Sequence, residues 1–181
     1  MDKYELLPQQ LLREGIAGQA NFFSSDPLDM RSVYAVHERE YADRVVQGRL
    51  TRKEMRFTFS MHGTNNYPFW KEESDLDIGL EDKTGDGTYL RILSETLPAL
   101  IADVKPDFIF YQAGVDILYT DKIGRMSCTL EGCRQRDEIV LQLAHNHNIP
   151  VQCSMGGGYS EQLRLIIEAH ANTYRVAEKI F

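Results

Sequence analysis

The sequence predicts an α/β domain in which a parallel sheet is flanked by helices, and residues Lys105 to Tyr159 carry the prediction. Two short apolar runs, Asp107–Tyr111 and Ile149–Ser154, have the composition of buried strands. A helical pattern from about Leu130 to Asn146 separates them. Strands joined by one helix are normally parallel, with a right-handed crossover. The loops after both strands should therefore open at one edge of the sheet, where open α/β sheets bind ligands.

The N-terminal elements are predicted to be helical. Residues Tyr4 to Ile16 cluster leucines on one side of a short helix. A second helix begins at Asp26-Pro27, a capping side chain followed by proline, and runs to about Gln47.

The following elements are predicted to be a strand, a long loop and two helices. Phe57 to Met61 alternates like a strand, and His62 to Thr88 is expected to be irregular. An amphipathic helix follows over Thr88–Val104, with a kink or break expected at Pro98. Ser160 is the expected N-cap of the last helix.

Composition narrows the class of protein. Acidic residues number 27 against 20 basic ones, giving a net charge of −7, which argues against direct nucleic-acid binding. The three cysteines show no CxxC spacing and are expected to be reduced, buried or half-buried thiols. No apolar run approaches the roughly 20 residues of a membrane span, and no signal peptide is recognisable. These features predict an intracellular, cytoplasmic protein with no membrane partner, unless further N-terminal residues carry a targeting signal.

Chemically useful side chains follow both predicted strands. Asp116 comes after the first, and Gly156–Gly158 followed by Tyr159 comes after the second. On turn statistics alone, an aspartate after a strand is more often a turn or capping residue than a ligand. The glycines could form a phosphate cradle, but the Lys-Ser/Thr of a P-loop is absent. They would instead let the backbone turn sharply and bring the tyrosine over the sheet edge.

Four ordered blocks resemble the zinc-dependent histone deacetylase family, including its bacterial and class IV branch. The blocks are Tyr111–Leu118, Asp121–Met126, Glu131–Asp137 and Gly156–Tyr159. The resemblance implies a partial arginase/deacetylase-like fold in which several central elements are absent. It also implies that Asp116 is a zinc ligand and that Tyr159 donates a hydrogen bond to the substrate carbonyl. Further substrate contacts are implied at an aromatic-proline pair, at an apolar tunnel-rim position and in the glycine turn: Tyr67, Ile123, Gly157 and Gly158.

The resemblance implies hydrolysis of acetyl-lysine in proteins, or of a related small acylated amine. In the complete enzyme zinc polarises the acyl carbonyl and lowers the pKa of its bound water. A histidine pair transfers protons, and the tyrosine hydroxyl stabilises the oxyanion. Zinc would therefore be the cofactor of the complete family enzyme.

Part of this machinery is missing from the chain. The N-terminal sequence resembles the start of the family domain, although family members have further residues before the position of Asp2. The sequence from Phe57 onward resembles the later part of that domain. The segment between them, which supplies the His-His base and the Asp-x-Asp-x-His block, is absent. We therefore expect one incomplete domain, with a helical part over residues 1–56, a βαβαβα part over 57–181 and a junction near 56/57. The deletion predicts an inactive chain that self-associates through uncovered apolar faces or behaves as a loosely packed state.

Other side chains could complete a metal site only by rearrangement. Asp75-Leu76-Asp77 has Gly79 where the family block needs histidine, and is interpreted as a solvated acidic loop. His145 and His147 end a helix, where surface placement is favoured. His62 follows a strand and could line the pocket or serve as a structural histidine.

Two other functional classes stay open. A non-catalytic binding or assembly protein could use the same fold edge and the acidic loop to hold a partner. A small nucleotide-binding domain has only the glycine turn in its favour.

Overall fold

The computed structural model describes residues 3–23, 30–36, 39–46 and 57–181. Helices and strands alternate through most of this range, which confirms the predicted α/β class. The elements in chain order are α1 Lys3–Glu14, a 3₁₀ turn Gln19–Asn21, α2 Met30–Val36, α3 Arg39–Val46, β1 Phe59–Gly63, β2 Leu76–Leu80, α4 Asp86–Val104, β3 Ile109–Gly114, α5 Leu130–Asn146, β4 Val151–Gly156 and α6 Leu163–Ile180.

The described strands form two parallel pairs. β3 lies beside β4, with Ile109 opposite Val151 and Gly114 opposite Gly156. β1 lies beside β2 in the same parallel sense. The predicted strand–helix–strand unit is therefore confirmed, but the described strands make two two-stranded sheets rather than one sheet.

The segments that follow β2 and β3 are hydrogen-bonded to each other. After β2, the Lys83 amide donates to the Arg125 carbonyl at 2.7 Å, and the Thr84 carbonyl accepts from Ser127 at 2.8 Å. The Asp86 carboxylate accepts from both the amide and the hydroxyl of Thr129, at 2.8 and 2.6 Å. The carboxyl ends of β2 and β3 consequently share one edge, as the sequence predicts for a ligand site.

Strand β2 corrects the predicted long loop. Leu76, Ile78 and Leu80 alternate with Asp77 and Gly79, two residue types that are depleted in strands. The strand forms because Leu80 is buried and Ile78 packs against the main core. The acidic segment is therefore not a free loop, although Asp77 itself is exposed.

Several predicted boundaries also shift. Helix α4 runs without a break through Pro98, so the expected break is absent there. The N-cap position of helix α6 is Gln162 rather than Ser160, and the Ser160 hydroxyl accepts a hydrogen bond from the Gln162 amide at 3.1 Å. The expected helix start at Asp26-Pro27 and its end at Gln47 lie outside the described residues.

Helices cover one face of the β3–β4 pair. The main core joins Val115, Leu118, Cys133, Val140 and Ile166 from the β3 loop, α5 and α6. Side chains on the other face of the pair are exposed: Phe108, Phe110, Gln112, Gln152 and Ser154. None of the helices in the described ranges combines the length and hydropathy needed to cross a bilayer.

We expect the uncovered face to drive self-association. Phe110 is 75% exposed and its ring lies 4.9 Å from that of Phe108. Apolar patches of this kind promote association. Phe110→Thr keeps a strand-forming residue but removes the ring, and should raise the dissociation constant about tenfold in sedimentation velocity. Phe23→Thr, at another exposed phenylalanine, should leave association unchanged, and a wild-type chain that stays monomeric at every concentration would contradict the expectation.

Candidate functional site

Asp116 and the glycine turn meet at the carboxyl ends of β3 and β4. The Val115 amide donates to the Gly156 carbonyl at 3.0 Å, which joins the two strand ends. Gly157 has a φ of +63°, and a Cβ added there would lie 2.6 Å from the Asp116 Cβ. Only glycine allows this left-handed turn to pack so closely on the carboxylate residue. The predicted shared edge is therefore confirmed for Asp116 and the turn that leads to Tyr159.

Asp121 holds the two loops of this edge together. Its buried carboxylate accepts from the amides of Ile123 and Gly124 at 2.9 and 2.7 Å. The other oxygen accepts from the Tyr159 amide at 2.7 Å. Ile123 and Tyr159 are thus positioned by one side chain to which the sequence analysis gave no role. The local signal was the Asp-x-x-Gly spacing of an aspartate that caps its own turn.

Lys3 is a second contributor that sequence reasoning missed. Its ammonium donates to the Gly157 carbonyl and lies 5.5 Å from the centroid of the Tyr159 ring. The ring is 58% exposed, so the tyrosine hydroxyl is open to a ligand. No local pattern could have revealed Lys3, because its partner lies 154 residues away.

The Asp116 carboxyl is partly withdrawn from water. Desolvation by burial raises its pKa above the ordinary value, and the neighbouring Asp121 carboxylate adds to the rise. The positive charges of Arg136 and Lys3 oppose it. A cation beside Asp116 would therefore relieve an unfavourable buried charge.

A cleft of about 1130 Å³ separates β1 from β3, and Asp116, His62 and Arg136 lie on its wall. His62 and Asp116 thus line the same cleft, and their expected proximity stays a prediction. The His62 Nδ1 atom is 2.8 Å from the Ser60 hydroxyl and 3.9 Å from an Asp77 oxygen. These contacts also agree with the alternative that His62 is a structural histidine.

The Tyr67 loop is held by a lysine rather than by its aromatic rings. Tyr67 and Trp70 are 67% and 94% exposed, so these rings do not anchor the loop to the core. The Lys71 ammonium instead donates to the carbonyls of Thr64, Asn66 and Pro68 at 2.9 to 3.0 Å. Tyr67 is free to contact a ligand, and its place in a substrate tunnel stays a prediction.

The donor set does not fit a catalytic zinc ion. Such a site needs three protein ligands. Across residues 3–23, 30–36, 39–46 and 57–181, no three histidine, cysteine, aspartate or glutamate side chains converge on one point. Burial also raises the pKa of Cys128 to about 12 and that of Cys133 to about 11, which disfavours their thiolates. His145 and His147 are exposed at the end of α5, as predicted.

A buried polar network stabilises the carboxyl end of β3. The Asp137 carboxylate accepts from Tyr111, from the Arg136 Nε at 2.9 Å and from the Thr173 hydroxyl at 2.7 Å. The Arg136 Nη1 donates to the Gly114 carbonyl at the end of β3. This network fixes the backbone two residues before Asp116. The helical pattern of Arg136 and Asp137 gave no indication that these charged residues would be buried.

Comparisons with known proteins agree on one family. A family model described as a histone deacetylase domain matches residues 46–174. An uncharacterised protein of Picosynechococcus sp. is 39% identical over 125 residues, covering 69% of this chain and 42% of that protein. Histone deacetylase 2 of Arabidopsis thaliana is 32% identical over 123 residues, covering 66% of this chain and 32% of the plant protein. The chain thus spans less than half the length of either relative.

The same fold occurs among solved structures. The acetylpolyamine aminohydrolase from Burkholderia pseudomallei superposes with a TM-score of 0.58 at 16% identity. The match covers 70% of this chain and 39% of that enzyme. At this identity the likeness establishes the fold alone.

Proposed function

Because this chain belongs to the histone deacetylase family, we propose that it is a family member that does not hydrolyse acyl-lysine by itself. The observation that supports the proposal is the isolation of Asp116. It has no second and third metal ligand beside it within the described residues. A single carboxylate cannot hold zinc in a catalytic geometry. Loss of one cooperating group removes most of the rate of such a site.

The remaining residues would still suit the family's substrate class. We propose that Tyr159 is the hydrogen-bond donor to an acyl carbonyl, and that Asp116 descends from a zinc ligand. Ile123, Tyr67 and the turn residues Gly157 and Gly158 would contact acyl-lysine or a small acylated amine. We attribute the incomplete donor set to a segment missing between residues 56 and 57, and the domain division at that junction belongs to the same proposal.

The test combines metal content with turnover. The purified chain, supplied with zinc, should retain well under one equivalent after gel filtration. It should show no turnover of an acetyl-lysine peptide or of an acetylated polyamine above the zinc-only blank. The Asp116→Ala variant should be indistinguishable from it in both measurements, because Asp116 alone supplies too few ligands.

A matched control uses an aspartate away from the edge. Asp103 is exposed on α4, and Asp103→Ala should also leave both measurements unchanged. Stoichiometric zinc together with turnover that Asp116→Ala abolishes and Asp103→Ala preserves would overturn the proposal and establish an enzyme.

A second candidate is a non-catalytic binding or assembly protein on the same fold. The open cleft between β1 and β3 favours it, since at about 1130 Å³ it exceeds most small-molecule pockets. Binding there would need neither zinc nor turnover.

A further inference from the structure

The edges of β1 and β3 border the cleft, and no strand among the described residues lies between them. In β3, the amides of Ile109 and Val115 donate to β4. Because alternate residues of a strand direct their backbone groups to opposite sides, Phe108, Phe110 and Gln112 present theirs to the cleft. All three line it.

The edge of β1 is arranged in the same way. The Thr58 carbonyl accepts from β2, and the Thr64 amide donates to β2. The backbone groups of Phe59 and Met61 therefore face away from β2, and both residues line the cleft. Within the described part of the chain, neither edge pairs with a further strand.

The cleft wall also carries a buried cation with spare hydrogen-bonding capacity. Arg136 is 4% exposed and lines the cleft. Its Nη2 atom lies 2.9 Å from an Asp137 oxygen as an ion pair but makes no hydrogen bond. A buried donor without an acceptor is costly. An acceptor placed in the cleft, and a carboxylate above all, would remove this cost.

We propose that the cleft binds one extended segment of another protein, apolar on its inward side and carrying an acidic side chain opposite Arg136. The segment would hydrogen-bond to β1 on one side and β3 on the other, converting two two-stranded sheets into one. Main-chain pairing would supply affinity, and the inward side chains would supply selectivity. The proposal names the class of ligand that the non-catalytic binding function would take. It does not depend on whether the chain hydrolyses amides.

The edges of β1 and β3 argue against other occupants. A helix bonds its own backbone groups internally and would leave both rows of donors and acceptors unpaired. A small molecule could pair with only a few of them. A second copy would have to insert an extended acidic segment of its own, which makes self-association a separate outcome of the test.

The probe is a fluorescein-labelled peptide, Thr-Val-Thr-Asp-Thr-Val-Thr, whose palindromic sequence presents the same order of side chains in either strand direction. Its inward positions are Val, Asp and Val. Fluorescence anisotropy on the full chain should show saturable one-to-one binding. Replacing Asp by Asn should weaken binding about tenfold, the typical contribution of a charge-assisted hydrogen bond. Replacing both Val by Pro, which removes two amide donors, should abolish binding.

Two protein variants test the location. Phe110→Pro removes an amide that faces the cleft and is not used by β4, and should weaken binding about tenfold. Phe110→Ala keeps the amide and should weaken binding less. Circular dichroism checks that both variants are folded, and the Asp/Asn comparison on the wild-type chain needs no variant.

Equal affinity for the Asp and Asn peptides, tight binding of the Pro peptide, or no saturable binding would each overturn the proposal. So would a dimer that excludes the peptide, which would assign the cleft to a second copy. A positive hydrolysis assay would overturn the proposed inactivity but leave this result unchanged, so the two failures are distinguishable.

Discussion

Replacing Asp137 by asparagine is expected to destabilise the chain by about 3–5 kcal/mol. Asp137 is completely buried and accepts hydrogen bonds from Tyr111, Arg136 and Thr173. Asparagine has nearly the same volume but no charge, so Arg136 would remain as a buried cation without its counterion. Since domains are stable by only about 5–15 kcal/mol, this loss would remove a large share of the free energy of unfolding.

The measurement is urea unfolding followed by circular dichroism. Trp70 is 94% exposed, so its fluorescence would report poorly on the core. Glu138→Gln changes the exposed neighbour in the same helix and should alter stability by less than about 0.5 kcal/mol. Thr173→Val removes one donor and should cost about 1–2 kcal/mol. An asparagine variant within about 1 kcal/mol of wild type would show that the Arg136–Asp137 pair contributes little.

Lowering the pH from 6.5 to 4 is expected to cost the wild-type chain more stability than a His170→Phe variant, by about 2–3 kcal/mol. His170 is 1% exposed on α6, and its Nε2 atom has no hydrogen-bond partner. Burial, together with the positive charges of Lys3 and Arg136, lowers its pKa from 6.5 to about 4 against the opposing charge of Asp137.

The direction of the change in stability depends on which state, folded or unfolded, binds the proton at the higher pH. In the unfolded chain the histidine protonates as the pH falls through 6.5, whereas in the folded chain it stays neutral until about 4. The unfolded state therefore holds more protons across this window, so stability falls with falling pH. Above 6.5 the side chain is neutral in both states and contributes no pH dependence.

The test compares unfolding free energies at several pH values from 4 to 7. Carboxylates titrate in the same range, but they are common to wild type and variant and cancel in the difference. His147→Phe, at an exposed histidine, should track the wild type. Parallel curves for wild type and His170→Phe would mean that the folded state accommodates a charged His170.

The sequence predicted the elements whose signal is local. Helix α5 was placed at its observed limits because its apolar spacing is regular and Thr129 caps it, accepting from the Gly132 amide at 3.0 Å. β3 and β4 were found because their apolar runs are bounded by turn residues, although each begins two residues later than predicted. β2 was missed because its aspartate and glycine resemble a loop, and only packing on the core makes it a strand.

The same distinction between local and long-range signals applies to the candidate site. The position of Asp116 beside the glycine turn followed from strand order, which is a topological rule. Lys3 and the Arg136–Asp137 network could not be predicted, because their partners are distant in sequence and a charged helical pattern normally indicates solvent exposure. The separation into two sheets was also not predicted, because the open cleft depends on how the β1–β2 and β3–β4 pairs pack within the chain.

The docking of α1 has a consequence for the order of folding. Leu7 and Leu11 bury themselves against Ala171 of α6, and Arg175 of α6 pairs with Glu14 across 161 residues of sequence. During synthesis, α1 leaves the ribosome well before its partner helix α6. The apolar side of α1 must therefore wait for the intervening residues, exposed to chaperones and to other chains. Closing so long a loop is entropically costly and slow, so attachment of α1 should be a late step of folding.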